Sequence, residues 1–141
     1  MVEYLEKSEQ QKSRAYSPAV ITQGGKTIWL AGQTATRDEQ GNDISGNFEA
    51  QVKTIFSLLD KTLKRAGGSL ASMVTMTVFI NDVRLGDKFV EMRAGFCPGG
   101  NYPASALITV SNFAGPGMML EIQAVAVIGD RCSKDNPCSS R

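Results

Sequence analysis

Apolar side chains at Phe48, Val52, Ile55, Leu59, Leu63 and Ala66 recur every three or four residues, so they share one face of a helix. The flanks agree with that period. Asn47 or Ser45 offers an N-cap, Glu49 sits in the first turn, Lys64 and Arg65 sit in the last, and Gly67-Gly68 supplies a stop. The period then changes to two. Across Met73–Ile80, Val74, Met76, Val78 and Ile80 take one face of a strand, and Met73, Thr75, Thr77 and Phe79 take the other. Asp87–Phe96 reads as a shorter helix with Phe89, Met92 and Phe96 as its stripe. Ala19–Gln23 and Thr27–Ala31 are β-prone runs around Gly24-Gly25, which predicts a hairpin. Ala106–Val110 and Met119–Ile128 read as strands on either side of a loop holding Gly115-Pro116-Gly117. Thr36–Asp43 is a polar loop, with a short strand expected across Asp43–Ser45.

These elements form one domain over residues 15–129. Residues 1–14 are rich in Glu, Lys, Gln and Ser and read as a flexible extension or a short frayed helix. Residues 130–141 read as a polar, disordered tail. Two helices and about six strands that do not alternate strictly predict an α+β fold: one mixed sheet with both helices on one face. The opposite face is not polar enough for open water. Thr75, Thr77, Phe79, Val125 and Val127 lie there around Glu121 and Gln123. A surface of that kind predicts contact with further copies of the chain.

Composition narrows the chemistry. The 141 residues carry 15 basic and 14 acidic side chains and no histidine. Scattered, balanced charge leaves no footprint for a phosphate backbone, so no nucleic-acid partner is expected. Without histidine, Ser-His-Asp and Cys-His nucleophilic sites and the usual zinc hydrolase site are excluded, and no metal is expected. The three cysteines, Cys97, Cys132 and Cys138, do not form a disulfide framework. Cys132 and Cys138 read as two exposed thiols, with a pairing inside the tail as the other possibility. No apolar run reaches membrane-spanning length and no apolar signal core opens the chain. No membrane partner and a cytoplasmic setting are therefore expected.

Local signatures line up in order: Tyr16-Ser17-Pro18-Ala19, Leu30-Ala31-Gly32-Gln33, Gln51, Ala66-Gly67-Gly68-Ser69-Leu70, Thr77-Val78-Phe79-Ile80-Asn81-Asp82, Tyr102-Pro103-Ala104, and Leu120-Glu121-Ile122-Gln123-Ala124-Val125-Ala126. In this order the chain resembles the YjgF/RidA (Rid, L-PSP) family of enamine/imine deaminases over roughly residues 15–129. The resemblance implies a chorismate-mutase-like fold, a homotrimer with an inner barrel of sheets and outer helices, and a ligand cleft between subunits. It also implies hydrolysis of a C=N bond without a cofactor. Water adds to an imine carbon, a carbinolamine forms, and ammonia leaves a 2-oxo acid. The substrate would be a small unsaturated amino or imino acid, with aromatic-breakdown intermediates of the aminomuconate type as one class.

Carried over residue by residue, Glu121 matches the acid that orients water and Tyr16 the tyrosine at the cleft mouth. Gly32 and Pro103 match positions that shape the backbone. Three positions depart from the pattern. Ser105 stands where the family's carboxylate-binding arginine follows Pro-Ala, Ala31 replaces a frequent serine, and Val90 and Glu91 occupy the neighbourhood of a helix asparagine. Serine cannot reproduce a bidentate guanidinium–carboxylate pair. Arg93 or Arg37 is the candidate replacement cation, against the plainer reading of a solvated helix arginine. Ser105 offers a ligand hydrogen bond or is an ordinary strand residue. Cys97, read as having no basic neighbour close in sequence, is a buried packing residue or a cleft thiol. Glu121 is a cleft acid or a surface glutamate, and Tyr16 a cleft residue or a packing one. The leading expectation is a deaminase-like hydrolase. The alternative is a non-catalytic, small-ligand-binding trimer. A ribonuclease or translation inhibitor fits the balanced charge and missing histidine poorly.

Overall fold

The computed structural model describes residues 1–129. The tail and its two cysteines lie outside the described residues. Strands β1 (Val2–Tyr4) and β2 (Val20–Thr22) form a small antiparallel sheet. Strands β3 (Lys26–Trp29), β4 (Met73–Ile80), β5 (Ala104–Thr109) and β6 (Leu120–Ile128) form a second sheet in the order β3-β6-β4-β5. Helices are α1 (Glu9–Ser13), α2 (Phe48–Arg65) and α3 (Gly86–Phe96).

The long helix forms as its stripe predicts. The Asn47 side chain caps it by accepting from the Ala50 N–H at 3.2 Å. Phe48, Val52, Ile55, Leu59 and Leu63 are all buried. Beyond its end, Gly68 N–H donates to the Leu63 carbonyl at 2.9 Å, and a Cβ on Gly68 would meet Ile128 Cγ2 at 2.6 Å. A larger residue there would have to displace the Ile128 side chain and Ser72 Oγ, which would lie 2.8 Å from that Cβ. Phe96 of α3 stacks on Phe56 of α2 with centroids 4.3 Å apart, which locks the two helices together.

In the larger sheet β4 pairs antiparallel with β6 and parallel with β5. The parallel pair needs a long crossover, and α3 provides it. Met76, Val78, Ile80, Leu120, Ile122, Ala124 and Ala126 are buried under the helices. Removing one of these, as in Ile122→Ala, costs about 2–5 kcal/mol. Buried Gln51 fastens the loops at one end of this core. Its amide donates to the Ile44 and Gly117 carbonyls at 3.0 and 2.7 Å and accepts from the Met119 N–H at 2.9 Å. No helix among the described residues covers the opposite face. Thr75, Thr77, Phe79 and Glu121 are half-buried there, Gln123 is exposed, and Trp29 is 80% exposed.

Five expectations need correction. The single sheet is two, because β2 does not pair with β3 as a hairpin. Gly24 and Gly25 both have positive φ, and the chain turns there so that β3 joins β6, while β1 takes the edge of β2. Residues 1–14 carry the short helix that is one of their two readings, α1, and also the strand β1, which neither reading holds. That helix has a reciprocal capping box between Ser8 and Gln11. The short strand at Asp43–Ser45 reduces to one bridge between Arg37 and Asp43. Met73 leaves the face of Thr75, because a bulge between them sets two residues of β4 against one step of β6, so Met73 enters the core. Strand ends also move: β3 stops at Trp29, and β5 starts at Ala104.

Candidate functional site

The side chain of Arg93 is the centre of a buried polar network. It projects from α3 toward the edge strand β5 and is 2% exposed. Nη1 donates to Ser105 Oγ at 2.6 Å, and Nη2 donates to the Arg14 carbonyl at 2.7 Å. The guanidinium carbon lies 5.2 Å from the Phe89 ring centroid, one helical turn back. Nε is buried and has no hydrogen-bond partner among the described residues. Burial pulls the Arg93 pKa down to about 10, with Cys97 and Tyr16 opposing the shift and the Arg14 charge adding to it. Arg93 therefore stays a cation near neutrality. The solvated-arginine reading is overturned: the α3 face carrying Arg93 packs against β5, and its charge is held inside.

Beside it lies a partly open cavity of about 230 Å³, lined by Arg14, Tyr16, Val90, Arg93, Ser105 and Leu107. Local backbone geometry builds this wall. Ala15 is buried with φ of 55°, a left-handed conformation unusual for a residue with a Cβ. That turn redirects the chain from α1 into the Tyr16-Ser17 segment. Ser17 bridges to Ala104, its N–H donating to the Pro103 carbonyl at 3.1 Å and its hydroxyl to the Tyr102 carbonyl. Pro103 is buried and serves as the acceptor that seats Tyr16 against β5. Cys97, one turn beyond Arg93, is buried. Burial pushes its thiol up, while the Arg93 charge pulls the other way, so it stays protonated near neutrality. A basic neighbour does stand four residues before Cys97, contrary to the sequence reading. It does not win against burial.

Glu121 and Gly32 form a second cluster elsewhere. Gln33 bridges to Ile122, with N–H to O distances of 2.8 and 3.1 Å in the two directions. This draws Gly32 flush against the acid: a Cβ there would lie 3.0 Å from Glu121 Cδ and 3.1 Å from Oε2. Ala31 beside it is exposed. The Glu121 carboxylate makes no hydrogen bond or ion pair within the described residues and is half-buried on the helix-free face.

The register separates the two clusters. Ser105 pairs with Met76, whose side chain is in the core under the helices. Glu121 pairs with Phe79 on the other face. The sheet thus stands between Glu121 and the Arg93 cavity within one chain. Arg37 belongs to neither cluster, since its Nη1 donates to the Gly41 carbonyl at 3.1 Å in the polar loop. Sequence reasoning missed Arg14, Leu107 and the cavity role of Val90. Arg14 closes a polar segment without periodicity, and only the Ala15 turn brings it to β5. Among the described residues no group of three or more His, Cys, Asp or Glu is placed to hold a metal, and no helix is long and apolar enough to cross a membrane.

The family model for endoribonuclease L-PSP matches residues 7–128. A RutC family protein of Pyrococcus abyssi is 29% identical over 111 residues, covering 79% of this chain and 84% of its own. Among solved structures, the Rid-family protein YyfB of Yersinia pestis superposes with a TM-score of 0.78 at 23% identity, over 91% of this chain and 98% of its own. RidA of an Antarctic Psychrobacter superposes with a TM-score of 0.66 at 26% identity, over 80% of this chain and 88% of its own.

Proposed function

This chain belongs to the endoribonuclease L-PSP family, and from that premise we propose that it is an enamine/imine deaminase-like hydrolase with its charge-binding group relocated. The observation that carries the reading is the bond from Arg93 Nη1 to Ser105 Oγ, 2.6 Å long. Ser105 stands where a carboxylate-binding arginine is expected. A guanidinium reaches that same spot from α3 instead, so the cation has moved from strand to helix and the local charge is kept.

In this reading the substrate carboxylate docks against Arg93 and Ser105, with Tyr16 beside it. Glu121 holds a water and passes its proton. The water oxygen bonds to the imine carbon, the C=N π pair goes to nitrogen, and a carbinolamine results. Proton transfer then lets the C–N bond break, giving ammonia and a 2-oxo acid. Glu121 and the Arg93 cavity lie on opposite faces of the sheet, so one small substrate needs Glu121 from one copy and Arg93 from another. A homotrimer of chorismate-mutase-like subunits, with the helix-free faces forming an inner barrel, would supply that pairing and cover Trp29 and Phe79. Substrates would be small unsaturated amino or imino acids, the aminomuconate type of aromatic breakdown among them.

The test generates imines in place with an amino-acid oxidase and traps them with semicarbazide. The protein should divert imine to keto acid, Glu121→Gln should abolish this, and Arg93→Ala should raise KM. Unchanged affinity in Arg93→Ala sinks the relocated-cation idea. Inactivity on a broad panel, enamines included, sinks the deaminase and leaves a binding trimer.

A further inference from the structure

Two arginines, Arg14 and Arg93, line the cavity, and no acidic residue lines it among the described residues. Their environments differ. Arg93 is fully buried and spends both terminal nitrogens on Ser105 and the Arg14 carbonyl, while its Nε is unsatisfied. Among the described residues the Arg14 side chain has a partner only at the rim: Nη1 donates to Asp87 Oδ1 at 2.6 Å, and the Asp87 side chain is 92% exposed. A carboxylate so open to water competes weakly for a cation. The two positive groups sense each other, since the Arg14 charge helps lower the Arg93 pKa. Like charges gathered at one cavity are unfavourable until an anion joins them.

The backbone keeps Arg14 in place. Its N–H donates to the Gln10 carbonyl at 3.0 Å at the end of capped α1, and its own carbonyl is tied to Arg93. Ala15, in its left-handed turn, is buried just after it. The backbone that carries the second cation is therefore fixed beside the cavity. Val90 and Leu107 line the same cavity and suit a short carbon chain between two polar ends.

We propose that Arg14 is a specificity-determining residue, selecting a small imino acid with two acidic groups: Arg93 and Ser105 hold the carboxylate next to the imine, and Arg14 takes the distal one from Asp87. This deepens the deaminase reading and rests on its assignment of Arg93 as the carboxylate anchor.

The experiment uses the full chain and two kinds of imine, one made in place from glutamate and one from alanine, each with its oxidase and semicarbazide trapping. The wild-type protein should favour the dicarboxylic imine in kcat/KM by at least about tenfold, the size of one charge-assisted hydrogen bond. Arg14→Gln should erase that preference, lowering kcat/KM for the dicarboxylic imine far more than for the alanine-derived one. Asp87→Asn should raise it, because the competing anion is gone. If Arg14→Gln lowers both substrates equally, Arg14 serves the first carboxylate and the proposal fails; if it changes neither, it fails as well. Calorimetric titration with unreactive glutarate and butyrate separates this from failure of the chemistry. A glutarate preference that depends on Arg14 upholds the selection even if no imine is hydrolysed, and equal affinity for the two overturns it.

Discussion

The Arg93 cavity and the Glu121 strip differ in how far one chain completes them. Around Arg93, a helix, an edge strand and the N-terminal segment converge, and four polar groups are tied together by backbone and side-chain bonds. Around Glu121 stand Gly32 and its register partner Phe79 on a sheet face that no described helix covers. In the deaminase reading proposed above, the first region would be a preorganised binding wall and the second a reactive group that another copy must complete. The two clusters lie on opposite faces of the sheet, so variants in one region should leave the other largely intact.

Glu121→Gln gives the sharpest test of that separation and the largest effect. Deaminase turnover should fall by about 10²-fold or more, the scale of a lost general acid–base group. Thermal stability should hardly move, because among the described residues the carboxylate has no hydrogen-bond or ion-pair partner to lose. A matching fall in melting temperature would break the distinction. Next in size, Arg93→Met should raise KM by about tenfold or more with a smaller change in kcat. Its stability change reports whether the buried charge is a cost or a support, since an apolar replacement for a buried ion is often neutral or stabilising. Gly32→Ala should be milder, about tenfold or less in kcat, because its Cβ would press on the Glu121 carboxylate at 3.0 Å and turn it. A rise in KM alone would place Gly32 with the binding wall instead.

The smallest effect is in pH. Burial raises the pKa values of Tyr4 and Cys97, so the folded chain keeps protons that the unfolded chain releases. Stability should therefore hold below the ordinary thiol pKa and decline as pH rises above roughly 9. Cys97→Val should flatten the start of that decline in denaturant titrations, and an unchanged slope would show that Cys97 contributes nothing to it.

Elements with many side chains on one stripe were legible from the sequence. The 18 residues of α2 declare themselves through repeated burial, and the alternation of β4 does so apart from its bulge. What stayed hidden depends on backbone pairing between short segments. Three-residue β1 has no period of its own, and its partner β2 is chosen by the Gly24-Gly25 turn. In the candidate site, Glu121 and Tyr16 were legible as residue types in a familiar order. The burial of Arg93 was not, because a polar residue on a helix is exposed unless something covers it, and here β5 and the Ala15 turn do.

Gln51 has a consequence for rates. Its amide joins the start of α2 to the Gly117 and Met119 backbone, 66 and 68 residues onward. Closing so long a loop is entropically costly, so this bracket belongs to the last stages of folding. Gln51→Leu should then act mainly by hastening unfolding, with little change in the folding rate, because a contact absent from the barrier crossing is lost only on the way out. The residue would thus govern how long each copy stays folded more than how quickly it gets there.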